Sequence, residues 1–176
     1  GAPMGIFMVW STRFRNLVYP TFQMLRSISP IAWIPLAIIW LGIDSSARIF
    51  IVFLSAVVPW VINSMEAVRS VDPLLVRAAK TLGARRRILL EVVLPAGLPT
   101  LLAGARIALG NAWTAVIAAE LLAATAGLGF VALNSSRALD TPTMLAAMVV
   151  IGLLGMAFSW LLLKLARVLA PWAKTS

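Results

Sequence analysis

Residues 63–95 read NSMEAVRSVDPLLVRAAKTLGARRRILLEVVLP, a stretch more organised than a turn between two apolar segments needs to be. Asp72 followed by Pro73 spells a helix start. Asp caps the first free amides, and Pro costs nothing at the first helical position, where its missing N–H would be unpaired anyway. Leu74, Leu75, Ala78, Ala79 and Leu82 follow at helical spacing, with Arg77, Lys80 and Thr81 on the other side. Gly83 stands where a left-handed residue would close this helix. A second helix is expected over 84–94, leading to Pro95 and the next apolar run.

The flanks decide the class. Seventeen uncharged residues lie between Arg48 and Glu66, and seventeen between Arg26 and Asp44. Val92–Ala119 is broken only by Arg106, and Thr141–Leu163 carries no charge. Each approaches or exceeds the roughly 20 residues that cross a bilayer core. With 61% hydrophobic and 12% charged residues and a mean hydropathy of +0.98, the 176-residue chain is too apolar for a water-soluble domain. Gly1–Thr12 is uncharged but short, and reads as the tail of a further span. No Cys and no His excludes a disulfide framework, a thiolate nucleophile, a Cys/His zinc site and a Ser-His-Asp triad.

The net charge of +9 is read as topology, not as nucleic-acid binding. Lys and Arg fall into the successive loops as three (Arg13, Arg15, Arg26), one (Arg48), six (Arg69 to Arg87), one (Arg137) and three (Lys164, Arg167, Lys174), with Arg106 inside a span. This alternation predicts four complete spans and one partial one, with the basic loops and the C-terminus in the cytoplasm. Pro30, Pro35 and Pro59 are expected to kink or end helices, which a bilayer tolerates only where neighbours or water re-satisfy the backbone.

Two readings fit the helix that starts at Asp72. It could lie on the membrane surface with leucines in lipid and arginines at phosphates, or it could dock in a protein groove. The paired alanines give a small, smooth face, which favours docking.

At this point the chain resembles the permease subunits of type I ATP-binding cassette importers, whose loop carries Glu-Ala-Ala, three residues, Gly, and then a stretch ending in Ile-x-Leu-Pro. The matching positions are Arg77, Ala78, Ala79, Gly83, Val92, Leu94 and Pro95. Arg77 replaces the Glu, and Gly83 to Pro95 is one residue shorter than usual. SISPIAWIPLAIIWLGI, PWVINSMEAVRSVDP and LPAGLPTLLAGARIALGNAWTAVIAAELLAATAGLGF extend the resemblance, to the nitrate, sulfonate, taurine and bicarbonate branch, over nearly the whole chain.

The resemblance implies an all-α polytopic membrane bundle of the MetI-like fold, one permease domain over residues 1–176, truncated at its N-terminus, in the bacterial inner membrane. It implies a second permease copy, two cytoplasmic ATPases that hold the ATP, and an external substrate-binding protein as partners. Arg77, Ala78, Ala79, Leu82, Gly83 and Pro95 would be the ATPase-coupling positions. The chain has no Gly-x-x-x-x-Gly-Lys-Ser/Thr phosphate loop, so it is read as a transducer and not an enzyme.

Candidate path residues are fewer. Gly104, Ala108, Asn111, Ala115 and Ala118 form one small-residue stripe, which reads as close helix packing or as a path lining with Asn111 as polar contact. Arg106, Trp113 and Glu120 fall nearly opposite. Glu120, about 37 Å of helix beyond Pro95, is expected at the outer surface, paired with a neighbour or simply interfacial. Asn63 is placed at the inner end of its span, as a gate or a cap. Gly127-Leu128-Gly129 reads as a flexible point before a short helix over Val131–Ala138, and Asp140-Thr141-Pro142 as another helix start. The rival readings are an ion-coupled secondary transporter, which needs midplane ionisable residues and repeats, and a membrane-embedded enzyme, which needs polar residues clustered at one depth.

Overall fold

Prolines, caps and close-packed glycines set where each helix of this chain begins and breaks. The computed structural model describes residues 1–42, 45–81, 88–123 and 126–170, and every regular element among them is helical. Helix α1 (Ala2–Trp10) joins α2 (Thr12–Ser27) at Ser11, whose Oγ accepts the Phe14 amide at 3.4 Å. Helix α2 stops where Ile28 and Ser29 become extended, as a residue before proline prefers. One 3₁₀ turn, Pro30–Trp33, then leads into α3 (Ile34–Leu41), closed by Gly42 at φ +78°.

The run between Arg26 and Asp44, expected as a span that Pro30 or Pro35 kinks or ends, is broken at Pro30. The arms Thr12–Ser27 and Pro30–Leu41 are bent by 86°. The eight residues of α3 reach only about 12 Å, well short of a bilayer core. Among the described residues three helices are long and apolar enough to cross a membrane, Ser45–Arg69, Glu91–Leu122 and Thr141–Arg167; the bent pair makes a fourth only if it counts as one span.

Helix α4 (Ser45–Arg69) runs through Pro59, and α5 (Pro73–Thr81) starts as its sequence predicts, with Asp72 Oδ1 accepting the Leu74 amide at 2.8 Å. Leu82, Gly83 and residues 84–87 lie outside the described residues. The described part of the second expected helix winds into a π-helical turn, Leu89–Val93, in which the Leu94 amide reaches back to Leu89 O. A proline ring in a regular helix collides with the carbonyl four residues earlier, here that of Glu91, and the wider turn gives it room. Pro95 then falls in the first turn of α6 (Leu94–Ala123). Helices α7 (Leu128–Arg137) and α8 (Thr141–Leu169) complete the chain, α7 starting three residues before the expected Val131.

The core is the antiparallel pair α4–α6. Added Cβ atoms show how close it is: at Gly97 one would lie 2.5 Å from Ala67 O, and at Gly104 it would fall on Asn63 Cβ. Helix α1 packs on one side of α4 through Met8, Val61 and Met65. Helix α3 covers the other end through Ile34, Ala37, Ala47, Ile51 and Ala115. Helix α8 lies on the opposite face of α6, where Trp113 stacks on Phe158 and Arg106 Nε donates to Ser159 Oγ at 3.2 Å. The short helices α5 and α7 sit at opposite ends of this bundle.

Candidate translocation groove and docking helix

The break between α2 and the 3₁₀ turn opens a groove of about 450 Å³ against α4 and α6. Arg26, Ser29 and Pro30 come from the break, Ser55 and Pro59 from α4, Asn111 and Thr114 from α6. Its height follows from the helix rise of 1.5 Å per residue. Ser55 is roughly 15 Å from the start of α4, and Ile62, at the other end of the groove, roughly 10 Å from its end. The groove therefore occupies the middle of a helix long enough to cross a bilayer.

This height corrects the assignment of Arg26 to a loop. Helix α2 rises along α4: Arg15 shares a recess with Arg69 at the α5 end, Phe22 packs among Val61 and Met65, and Arg26 lies in the groove with Ser55 and Pro59. Arg26 Nη1 approaches Gln23 Oε1 at 3.5 Å. Ser55 is buried and donates to the Asn111 carbonyl at 2.9 Å, pinning the two central helices at this level. Thr114 Oγ1 donates to Gly110 O at 3.0 Å. Asn111 itself is exposed on the groove wall.

The small-residue stripe divides between its two readings. Gly104, Ala108 and Ala115 are buried, Gly104 directly beneath Asn63 of α4, which is packing within one chain. Asn111, in the same stripe, faces the groove. Asn63 caps nothing: α4 continues six residues beyond it to Arg69, and its Nδ2 donates to Pro59 O at 2.8 Å.

At the far end, Glu120 is tied to its own chain. Its Oε2 accepts the Gly129 amide at 2.8 Å, at the N-terminus of α7, where a carboxylate meets both free amides and the positive end of the helix dipole. Gly127, at φ +131°, brings the backbone so close that an added Cβ would lie 2.5 Å from the Glu120 carboxyl carbon. The Gly-Leu-Gly segment is therefore a close-packed corner and not a flexible point.

Helix α5 turns two faces in different directions. Ala79 and Val76 pack with Val71, Ile88 and Val93. Leu74, Arg77 and Ala78 are exposed, with Leu74 at 67% and Leu75 at 51%. Adjacent Ala78 and Ala79 thus do different things, one open on the surface and one holding the helix to the π-helical turn. Among the described residues, no group of three acids could hold a metal ion.

A groove at a broken helix midway along the bundle and a surface helix at one end suit a transport subunit, and the comparison with known families agrees. The family model described as binding-protein-dependent transport system inner membrane component matches residues 1–175. The chain belongs to this family. Its helical bundle is accordingly the MetI-like membrane fold, and the chain is a permease of the inner membrane. A probable ABC transporter permease protein of Brucella melitensis is 43% identical over 97% of the chain and 70% of its own length. The taurine transport system permease protein of Escherichia coli is 38% identical over 98% and 63%. The bicarbonate transport system permease protein of Synechococcus elongatus is 34% identical over 89% and 57%.

Sequence reading missed Arg26, Ser29, Ser55 and Thr114 as groove residues of this permease. The signal was present in Ser27-Ile28-Ser29-Pro30: a proline preceded by hydroxyl residues inside an apolar run predicts a break, and a break inside a membrane predicts a lined cavity.

Proposed function

We propose that this permease is the membrane-spanning subunit of an ATP-driven importer and carries a small anionic solute through the groove between the helix break, α4 and α6. The observation that carries the reading is the position of that groove: polar side chains from three elements converge midway along α4 and α6, two helices long enough to cross a membrane. The substrate class is supported by the relatives described for taurine and bicarbonate transport.

One chain encloses only one side of such a groove, and a second permease copy closes the other. The exposed face of α5, with Leu74, Ala78 and Arg77, inserts in a groove of a cytoplasmic ATPase, and a substrate-binding protein delivers the solute at the α7 end. The charge bias of the α5 end, with Arg69, Arg77 and Lys80, supports a cytoplasmic position for it and for the C-terminus. Asn111 lines the path; Asn63 and Glu120 hold its walls in place. ATP binding at the partner draws the α5 helices together and tilts α4 and α6 about the groove, and hydrolysis resets them.

The test is reconstitution of the permease with its ATPase and binding protein. Uptake into proteoliposomes should require ATP and binding protein and should persist without an ion gradient. Uptake driven by an ion gradient alone would reassign the chain to secondary transport.

A further inference from the structure

We infer that Arg26 is the mid-membrane contact for the anionic head of the solute, its guanidinium gripping an oxyanion at the helix break. The inference rests on the groove being one wall of the transport path, and it adds the group that recognises charge there.

The position is unusual for an arginine. Arg13 and Arg15 can reach an interface at the α5 end by extending their side chains, but Arg26 lies about 16 Å further along α2. A charged group at that depth is held by a partner, by a water-filled cavity or by function. Among the described residues Arg26 makes no ion pair, and its one hydrogen-bond partner, Gln23 Oε1, is at the 3.5 Å limit. Glu120, an acid on the same helix as Asn111, is held by Gly129 at the α7 corner. Arg26 therefore lines the groove with most of its five N–H donors unused.

What would occupy it follows from shape. The planar fork of an arginine matches two coplanar oxygens, as on a carboxylate, bicarbonate, nitrate or one face of a sulfonate, and binds them bidentately. Two further donors line the same groove, the Ser29 hydroxyl and the Asn111 amide, neither engaged by a described residue. Ser55 and Thr114 have already donated to backbone carbonyls, so they shape the wall rather than bind. A fixed cation with two neutral donors selects anions and repels cations.

The absence of cysteine makes the test direct. Ser29→Cys is introduced into the complete permease, any cysteine outside this chain being replaced, and the protein is assembled with its ATPase. The introduced thiol is then modified by an anionic sulfonatoethyl and by a cationic trimethylammonioethyl methanethiosulfonate. The anionic reagent should be favoured, and the ratio should fall about tenfold in Arg26→Gln and hold within about twofold in Arg26→Lys, since only charge close by sets it. An unchanged ratio in Arg26→Gln overturns the inference.

A second measurement needs no change at Arg26. A millimolar alkanesulfonate should slow modification of the same thiol by a neutral reagent while a tetramethylammonium salt does not; equal protection by both, or none by either, overturns it. In the reconstituted importer, Arg26→Gln should lose at least about tenfold in uptake, as expected where a charged contact to the transported group is removed. Wild-type uptake kept in Arg26→Gln sinks the inference alone. A wild-type complex without ATP-driven uptake sinks the importer reading, and the ratio of the two thiol modification rates still decides the anion contact.

Discussion

Glu120 and Gly129 are joined across the α6–α7 corner, Oε2 accepting the Gly129 amide at 2.8 Å. The pair turns an acid that could have served a partner into the cap of a short helix. Glu120→Ala should weaken the docking of α7 by about 1 kcal/mol, the usual loss of an N-terminal cap, and Glu120→Gln by less because an acceptor remains. Gly127→Val should cost more than either, since φ +131° and the adjacent carboxylate both exclude a β-branched side chain. Hydrogen exchange of the amides of residues 129–132 measures all three; equal protection in Glu120→Ala and wild type would remove the cap from the account.

Gly104 and Gly152 make a matched contrast. A side chain at Gly104 meets Asn63 across the central helix pair, while at Gly152 no described residue lies within 4 Å. Gly104→Leu should destabilise the bundle by about 2 kcal/mol through overpacking, or prevent assembly. Gly152→Leu should leave the unfolding midpoint in detergent unchanged or raise it by up to about 4 °C, because the side chain touches no described residue and glycine is exchanged for a better helix former. Loss of stability at Gly152 alone would mean that α8 is packed there by another subunit.

Asp140, in the turn before the membrane-spanning part of α8, links the start of that helix to pH. Its hydrogen bonds with Thr143 hold its carboxyl below the ordinary value of 3.8, outweighing a small opposing effect of desolvation. A depressed folded value means that the cap is fully present above the unfolded value and is lost as pH falls through the folded one. The first turn of α8 should therefore be constant from pH 7 to about 5 and fray below about 4. Asp140→Asn should abolish the pH dependence and keep the turn, since asparagine caps as well as aspartate, whereas Asp140→Ala should fray at every pH. The Thr143 amide resonance, followed by NMR in micelles, reads the difference.

What the sequence made legible was local chemistry with one dominant cause. Asp72-Pro73 and Asp140-Thr141-Pro142 start helices as read, because a cap and a first-turn proline act over three residues. The long apolar runs are helices because nothing else satisfies their backbone in lipid. What escaped was set by height and by neighbours. Arg26 was grouped with Arg13 and Arg15 by charge, yet α2 is helical throughout and carries it to the level of Ser55. Glu120 stands near the end of α6, and its partner comes from beyond a turn whose geometry no spacing rule encodes. Within the stripe, Ala115 and Asn111 share a face by periodicity and both border the groove, and only the positions of α3 and α4 decide that one is buried there and the other exposed.

Ala78 and Ala79 offer the sharpest separation of docking from folding. They are neighbours of the same size in α5, but Ala79 is 9% exposed among Val71, Ile88 and Val93, and Ala78 is open on the surface beside Leu74 and Arg77. A leucine at Ala79 has no room and should loosen α5 from the π-helical turn at a cost of about 1–3 kcal/mol, seen as faster proteolysis near residue 81. Aspartate at Ala78 has water around it in the free permease and should leave that proteolysis unchanged. Against a partner surface it would bury an unpaired charge, which costs several kcal/mol in effective terms. Ala78→Asp should therefore abolish co-purification with the ATPase and ATP-dependent uptake in a folded protein. If it co-purifies at the wild-type level, the exposed face of α5 is not where the ATPase docks, and the alternative of a helix resting on lipid headgroups takes its place, testable by flotation of the isolated permease with anionic vesicles.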